Sequence, residues 1–175
     1  MLHQHKVILL SGVFISWLVL TSLALFNFAG EYYGEFAADT NWQSPAQSTF
    51  SLSALGIAVG QSIQVVHVRE DNCICNSRAA LHQQQFSSLY DLPKQQQFER
   101  NVQHIAAAGL RLPATPAVLI FNGGTLLYAG PYAAGPLCSV SDSLIAPILR
   151  QQITLPATWF NAEAKACRCV VKKLT

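Results

Sequence analysis

The chain has 175 residues, which is enough for one domain with a buried core. Apolar residues make up 51% of it and charged residues only 11%, whereas about 25% charged residues is typical of soluble domains. The formal net charge of +2 comes from scattered cations, which argues against a nucleic-acid-binding surface. The sequence also lacks a glycine-rich phosphate loop, a Ser-His-Asp order and a convincing carboxylate pair.

An uncharged apolar run extends from Val7 to Phe28, just after Lys6. As a helix this run would span ~33 Å, and the hydrocarbon core of a bilayer is about 30 Å thick. A cleaved signal peptide has an apolar stretch of only ~7–15 residues that ends at small residues, and this segment fits that pattern poorly. We therefore predict a cytoplasmic stub at 1–6 and an uncleaved transmembrane anchor at 7–28, with the rest of the chain outside the cytoplasm.

The region after the anchor changes from polar linker to regular structure. Residues 29–48 contain Gly, Asp, Asn, Ser and Pro with few aliphatic residues, which predicts a tether. Residues 49–58 fit either a short strand and turn or a short helix. The β-branched run from Ser62 to Val68 predicts a buried strand. Helical apolar spacing follows over residues 76–90.

The second half of the predicted domain also contains both helical and strand patterns. Residues 94–108 have helical spacing, and a strand at their start would lie away from the centre of a sheet because it is polar. The apolar run 117–121 predicts a strand, and an Asn-Gly-Gly turn joins it to a returning strand at 125–129. A final helix is predicted over 141–152, kinked or restarted at Pro147.

Two cysteines separated by one residue, Cys73 and Cys75, lie between the first predicted strand and the helix that follows it. Helix-end amides stabilise a thiolate, which lowers the pKa of a thiol at that position. We therefore predict that Cys73 is the nucleophile and Cys75 the resolving thiol. A disulfide across one residue closes a very short loop and tends to be labile. The alternatives for this pair are metal binding and a purely structural role.

Thr115 and Pro116 come directly before the apolar strand at 117–121. A cis bond between them would present the backbone of Thr115 to the dithiol, where it could pair with an extended peptide or block metal capture. The alternative is a trans proline that opens the strand. The context favours the cis form.

A fifth cysteine, Cys138, follows the strand at 125–129. That strand is predicted to be parallel to the one at 62–68, so the loop after it should emerge at the same sheet edge as the dithiol. Cys138 is therefore either an auxiliary thiol near the site or a packed thiol with no role there. Because five cysteines is an odd number, at least one thiol is unpaired or pairs with another molecule.

A second Cys-x-Cys, formed by Cys167 and Cys169, lies within the last 20 residues. It could act as an internal redox partner that swings onto Cys73 and Cys75, or form a disulfide that pins the terminus. It could instead complete a four-thiolate metal site with the first pair. The spacing is tighter than zinc sites usually have, whereas soft thiolates suit Cu(I).

The order of strand, Cys73-Ile74-Cys75, helix, Ala114-Thr115-Pro116, strand, glycine turn, strand and final helix is similar to a thioredoxin fold over residues 49–155. The chain resembles an uncharacterised family of membrane-anchored thioredoxin-like proteins of Gram-negative bacteria. The motifs that carry this resemblance are the Cys-x-Cys, Pro-Ala-Thr-Pro-Ala-Val, Tyr-Ala-Gly-Pro-Tyr and the Trp159…Cys-x-Cys tail. It implies an α/β three-layer sandwich with a mixed sheet, a dithiol at Cys73 and Cys75, and a cis-proline at Pro116.

Together these observations predict a single-pass protein of the bacterial inner membrane with a thioredoxin-like domain at 49–155 and a cysteine-containing tail at 156–175 in the periplasm. The predicted function is thiol–disulfide redox chemistry on envelope protein thiols or disulfides, without a cofactor. The predicted catalytic residues are Cys73, Cys75, Thr115 and Pro116, with Cys138, Cys167 and Cys169 as auxiliary thiols. The alternatives are a copper or zinc carrier that uses Cys73, Cys75, Cys167 and Cys169, and a non-catalytic scaffold.

Overall fold

The computed structural model describes residues 2–37, 42, 51–155 and 157–172. The chain divides into two compact units, Met1–Tyr32 and Tyr33–Thr175. Of the predicted tether at 29–48, residues 38–41 and 43–48 lie outside the described residues, residues 29–32 continue the N-terminal helix, and Tyr33–Glu35 form a strand.

The first unit is one helix, α1 (Leu2–Tyr32). Its stretch Gln4–Tyr32 is apolar and long enough to cross a membrane. Two polar side chains in it bond back to the helix itself: Thr21 Oγ1 donates to the Trp17 carbonyl at 2.8 Å and Asn27 Nδ2 to the Leu23 carbonyl at 3.0 Å. A helix satisfies its backbone groups internally, as a bilayer requires. The helix extends beyond both ends of the predicted anchor.

The second unit is a mixed α/β domain. Its strands in chain order are β1 (Tyr33–Glu35), β2 (Gln64–Arg69), β3 (Gln97–Asn101), β4 (Ala114–Thr115), β5 (Ala117–Asn122), β6 (Thr125–Gly130), β7 (Trp159–Phe160), β8 (Lys165–Cys167) and β9 (Cys169–Val170). Its helices are α2 (Leu52–Leu55), α3 (Asn76–Leu89), α4 (Val102–Ala107) and α5 (Ala146–Leu149), with 3-10 turns at Lys94–Gln96 and Val140–Asp142.

Five of the described strands form one mixed sheet in the order β3-β2-β5-β6-β7. β2 is parallel to β3 and β6 is parallel to β7, while β5 is antiparallel to both β2 and β6. Helix α3 makes the crossover between the two parallel strands β2 and β3. Within residues 94–108 the helical spacing corresponds to α4 alone, and the strand that the sequence left open is present as β3. Its sequence Gln-Phe-Glu-Arg-Asn suits an edge because that position leaves polar side chains partly exposed.

The alternation of side chains along β5 places apolar residues on both faces of the sheet. Leu119 and Phe121 belong to one buried cluster, whereas Val118 and Ile120 belong to the other. Phe86 of α3 packs in the second cluster. The continuous apolar run of β5 is therefore the signature of a strand covered on both sides.

Two parts of the second unit differ from the sequence-based expectations. The final helix predicted at 141–152 is reduced to α5, because Pro147 has no N–H and is tolerated only in the first turn of a helix. The segment 156–175, expected to be a tail, contributes β7 to the main sheet. It also contributes β8, which pairs with β1, and β9, which pairs with β4. For residues 49–58, the described part contains the short helix α2, capped by the Ser51 side chain and by Gly56 at φ +85°.

Candidate functional site

Two disulfides connect the start of α3 with the C-terminal strands. Cys73 is bonded to Cys169 and Cys75 to Cys167, with Cα–Cα distances of 5.9 and 5.8 Å. The structure therefore joins each cysteine of the first pair to a cysteine of the second, and it contains neither a Cys73–Cys75 nor a Cys167–Cys169 bond. A disulfide across one residue would close a very small ring, whereas pairing across the fold lets both bonds take an ordinary Cα spacing.

The first pair is positioned by a tight loop between β2 and α3. Cys75 is the N-cap residue of α3, and Cys73 lies two residues before it. The carbonyl of Cys75 accepts the amides of Arg78 and Ala79, and Asn76 Nδ2 closes the loop by donating to the Glu70 carbonyl at 2.8 Å. Both cysteines are buried: Cys75 is fully covered and Cys73 is 7% exposed.

The second pair is carried by two short strands with different support. β8 pairs with β1, where Tyr33 lies opposite Cys167. On the other side of β8, the Gly135 amide donates to the Lys165 carbonyl at 2.8 Å. Among the described residues, β9 pairs with β4 alone, and Thr115 lies opposite Cys169. Cys167 is thus held in a strand bonded on two sides, and Cys169 in a strand bonded on one.

Thr115 and Pro116 lie beside the Cys73–Cys169 disulfide. The peptide bond between them is cis. The carbonyl oxygen of Thr115 is 3.6 Å from Cys73 Sγ, and its backbone forms the ladder with β9. The hydroxyl Oγ1 of Thr115 is buried and has no hydrogen-bond partner among the described residues. The backbone carbonyl of Thr115 therefore lies next to the disulfide, and the hydroxyl makes no hydrogen bond there among the described residues.

Cys138 carries a free thiol that lies against the other disulfide. The amide of Cys167 donates to Cys138 Sγ at 3.3 Å, and His82 Nε2 donates to the Cys138 carbonyl at 2.8 Å. Burial raises the pKa of the Cys138 thiol, and this outweighs the lowering effects of the Cys167 backbone and the Arg78 charge. Cys138 is therefore close to the cysteine cluster, but it is held as a neutral thiol.

A buried aromatic and histidine group behind the site was not identified as a unit in the sequence. His67 Nδ1 is 2.8 Å from Tyr132 Oη, and Gln83 Nε2 donates to the same hydroxyl at 3.3 Å. Burial lowers the pKa of His67 to about 4 and also lowers the pKa of His82. Burial raises the pKa of Tyr132. These groups are neutral at neutral pH and support the packing of α3 on the sheet. Their separation along the sequence left no local pattern that would identify them.

Three of the cysteine sulfurs are close enough to share one ion after reduction. The sulfurs of Cys73, Cys75 and Cys169 all lie within 4.8 Å of one another. Thiolates at such distances can exchange disulfides with one another, or can bind one soft metal ion together. The predicted fourth ligand, Cys167, is bonded to Cys75 next to this group.

These observations define a class of protein: a small mixed α/β domain with a four-cysteine cluster, preceded by a helix long enough to cross a membrane. Residues 40–171 match the model of a family described as a domain of unknown function, DUF6436, and the chain belongs to that family. Comparisons with curated proteins and with solved structures give no significant match.

Proposed function

We propose that this protein is a thiol–disulfide exchange protein of the bacterial envelope, anchored in the inner membrane by α1, with a thioredoxin-like domain in the periplasm. The observation that carries the proposal is the Cys73–Cys169 disulfide. It lies just before the amino end of a 14-residue helix, and the Thr115 carbonyl is 3.6 Å from its Cys73 sulfur. Partners of the proposed exchange are thiols or disulfides of other envelope proteins.

The element order supports a thioredoxin-like domain. A parallel pair, β2 and β3, is connected by α3, and the antiparallel hairpin β5–β6 follows. The cysteines come directly after β2, and Pro116 comes directly before β5. This is the arrangement that the sequence resemblance implies, and it brings Thr115 beside Cys73 across 42 residues of sequence.

The proposed exchange uses Cys73 as nucleophile and Cys169 as resolving thiol. In the reduced protein the Cys73 thiolate attacks one sulfur of a substrate disulfide, and the other substrate sulfur leaves as a thiolate that takes a proton from solvent. The Cys169 thiolate then attacks Cys73 Sγ in the mixed disulfide and releases the second substrate thiolate. The substrate gains two electrons, and the Cys73–Cys169 bond forms again.

The same steps in reverse oxidise a substrate dithiol and leave Cys73 and Cys169 reduced. An envelope dithiol or disulfide partner restores the starting state in either direction. Two features favour Cys73 as the sulfur that carries the mixed disulfide. Cys73 lies two residues before the N-cap of α3, and the amide end of a helix lowers the pKa of a nearby thiol. Its neighbour Thr115 offers backbone groups to an extended chain. Cys75, the resolving thiol expected from the sequence, stays bonded to Cys167 in the proposed cycle.

A redox titration of the full-length protein in detergent tests this proposal. The protein is equilibrated in glutathione buffers of stepped potential, alkylated, and mapped by mass spectrometry, with Cys138→Ala as the background so that the free thiol adds no signal. We expect Cys73 and Cys169 to become reduced together at a higher potential than Cys75 and Cys167. Reduction of all four cysteines in one step, and only after unfolding, would contradict the proposal.

A second candidate function is a soft-metal carrier, favoured by the approach of three sulfurs within 4.8 Å. After reduction, Cys73, Cys75 and Cys169 would supply three thiolates to Cu(I), for which sulfur ligands are well suited. Zinc is the less favoured ion because structural zinc sites are usually tetrahedral, with longer spacing between the two ligands of a pair.

One double variant separates the two functions. Cys75→Ser with Cys167→Ser removes one of the three proposed metal ligands but leaves the Cys73–Cys169 couple. We expect this variant to retain a two-electron couple if the protein exchanges disulfides. Stoichiometric Cu(I) bound by the reduced parent protein and lost in the double variant would favour the carrier.

A further inference from the structure

The last described strand, β9, occupies the backbone edge beside Cys73. Ala114 lies opposite Val170 and Thr115 opposite Cys169, and the Val171 amide donates to the Pro113 carbonyl at 2.9 Å. Residues 169–171 thus lie in extended form along three consecutive residues, 113–115, and carry a cysteine bonded to Cys73. This is the geometry of a cysteine-containing peptide captured in a mixed disulfide.

We propose that β9 is a displaceable internal ligand, and that the substrate is an extended peptide segment that takes its place with its own cysteine at the position of Cys169. This inference rests on the proposed exchange at Cys73 and adds the substrate's sequence preference to it. On reduction of the Cys73–Cys169 bond, β9 retains its short ladder with β4 and the contacts of Val171 that follow it, and no second strand covers its outer edge among the described residues.

The side chains of β9 define the preferred substrate. Val170 is 48% exposed, whereas Val171 packs against the buried cluster that contains Leu112 and Ala114. Successive side chains of an extended chain point to opposite sides. The position directly after the cysteine is therefore open to solvent, and the position two residues after it is apolar. The substrate segment is Cys-x-aliphatic in extended conformation.

Displacement of β9 need not disturb the rest of the C-terminal region. β8 is held by β1 and by the Gly135 amide, and the Cys75–Cys167 bond fixes it to α3. Release of β9 can therefore stop at Cys167, so that the exchanged segment is short and remains attached close to the site. A tethered competitor of this kind raises the concentration of peptide that is needed for capture.

The test uses the full-length protein in detergent with Cys169→Ser and Cys138→Ala, which leaves Cys73 as a free thiol beside an intact Cys75–Cys167 bond. The probes are three hexapeptides whose single cysteine is activated with thionitrobenzoate, so that capture by Cys73 releases a coloured thiolate. One peptide, Ala-Arg-Cys-Val-Val-Lys, copies residues 167–172 with alanine in place of Cys167. The other two carry aspartate in place of the first or of the second valine.

We expect capture of the tail peptide to be saturable, and aspartate at the second valine to lower the capture efficiency by about tenfold or more, as the loss of an apolar contact predicts. Aspartate at the first valine is the matched control of equal charge and should change it little. The same substitutions in the protein should have the opposite effect on the rate of capture. Val171→Asp should speed the capture of the unaltered peptide, because it weakens the binding of β9, which competes with the peptide. Val170→Asp should not speed it.

Equal rates for the three peptides, without saturation, would overturn the inference while leaving exchange at Cys73 intact. A small aromatic disulfide reagent reports on that exchange separately. If Cys73 reacts with neither the reagent nor any peptide, the proposed function fails and the substrate preference fails with it. The peptide comparison uses one protein, so it stands even where Val171→Asp unfolds the domain.

Discussion

The two C-terminal strands of this protein carry equivalent cysteines in unequal surroundings. Cys167 lies in β8, next to the fully buried Ala166, with hydrogen bonds to β1 on one side and to Gly135 on the other. Cys169 lies in the two-residue strand β9, whose one described neighbour is β4. The disulfide partners differ slightly in the same direction, since Cys75 is fully covered whereas Cys73, although buried, is 7% exposed. Under the proposed function, Cys75–Cys167 is the bond that maintains the fold and Cys73–Cys169 is the bond that exchanges.

The largest expected effect is the loss of both bonds, because together they close the domain on itself. Their separations of 96 and 92 residues define nearly the same loop. A loop of this size is worth about 4–5 kcal/mol in chain entropy, and the second bond adds little of that term once the first is present. Replacing all four cysteines by alanine should therefore lower the free energy of unfolding by about 4 kcal/mol or more. Pulse proteolysis in urea, on the protein in detergent, measures this change.

The controls for that experiment are the two double variants that each remove one disulfide, Cys73→Ala with Cys169→Ala and Cys75→Ala with Cys167→Ala. Each should lose much less than the fourfold variant, because the remaining bond still closes the loop. If the losses of the two double variants instead add up to the loss of the fourfold variant, the chain-entropy account is wrong.

Acid should destabilise the domain through His67, independently of either disulfide. Burial lowers the pKa of His67 from its ordinary value of 6.5 to about 4, so the folded domain keeps this ring neutral while the unfolded chain protonates it. The free energy of unfolding should therefore be unaffected above pH 6.5 and should fall as pH drops from 6.5 towards 4, by roughly 3 kcal/mol in total. The free energy of unfolding measured between pH 7 and 4 checks this.

His67→Gln supplies the comparison for the acid experiment. It can still bond the Tyr132 hydroxyl but does not titrate in this range, so its stability should depend less on pH. The parent and variant profiles would run parallel if some other group caused the acid effect.

The two double variants also test the difference between the bonds directly. Cys75→Ala with Cys167→Ala removes sulfur from a fully buried position and from a strand held on two sides. Cys73→Ala with Cys169→Ala removes it from a strand held on one side. Because the loop terms are nearly equal, the first variant should be less stable than the second by about 1–2 kcal/mol, which is the contribution of the extra buried contacts. Equal stabilities would contradict the division into a structural and an exchanging bond.

The elements that local patterns specify are the ones that the sequence predicts well. β2, α3, β5 and β6 each contain enough residues to show a period or an apolar run, and their observed bounds lie within two residues of the predicted ones. The strands β8 and β9 are too short to show a period, and they form through pairing with β1 and β4, which lie far away in sequence. Helix α5 is short because Pro147 limits it from within.

The candidate site also combines features that are visible in the local sequence with features that are set by long-range packing. Its cysteines and the Thr-Pro step are visible as motifs, but the bonding between the two Cys-x-Cys pairs is not, because spacing alone does not determine disulfide connectivity. Tyr132 and His67, which pack behind the site, come together only when the sheet and α3 have formed. The residue types indicated thiol chemistry, whereas long-range packing determined which cysteines form each disulfide.

The smallest expected effect concerns Thr115, and it tests how this residue serves the exchanging bond. Its hydroxyl is buried without a hydrogen-bond partner among the described residues, while its carbonyl lies 3.6 Å from Cys73 Sγ. Burying an unpaired hydroxyl is unfavourable, so Thr115→Val, which keeps the shape, should leave stability unchanged or raise it by up to about 1 kcal/mol. The potential of the Cys73–Cys169 couple should stay the same, since backbone atoms make the contact. A clear loss of stability or a shifted potential in this variant would show that the hydroxyl, and not the backbone alone, supports β9 and its disulfide.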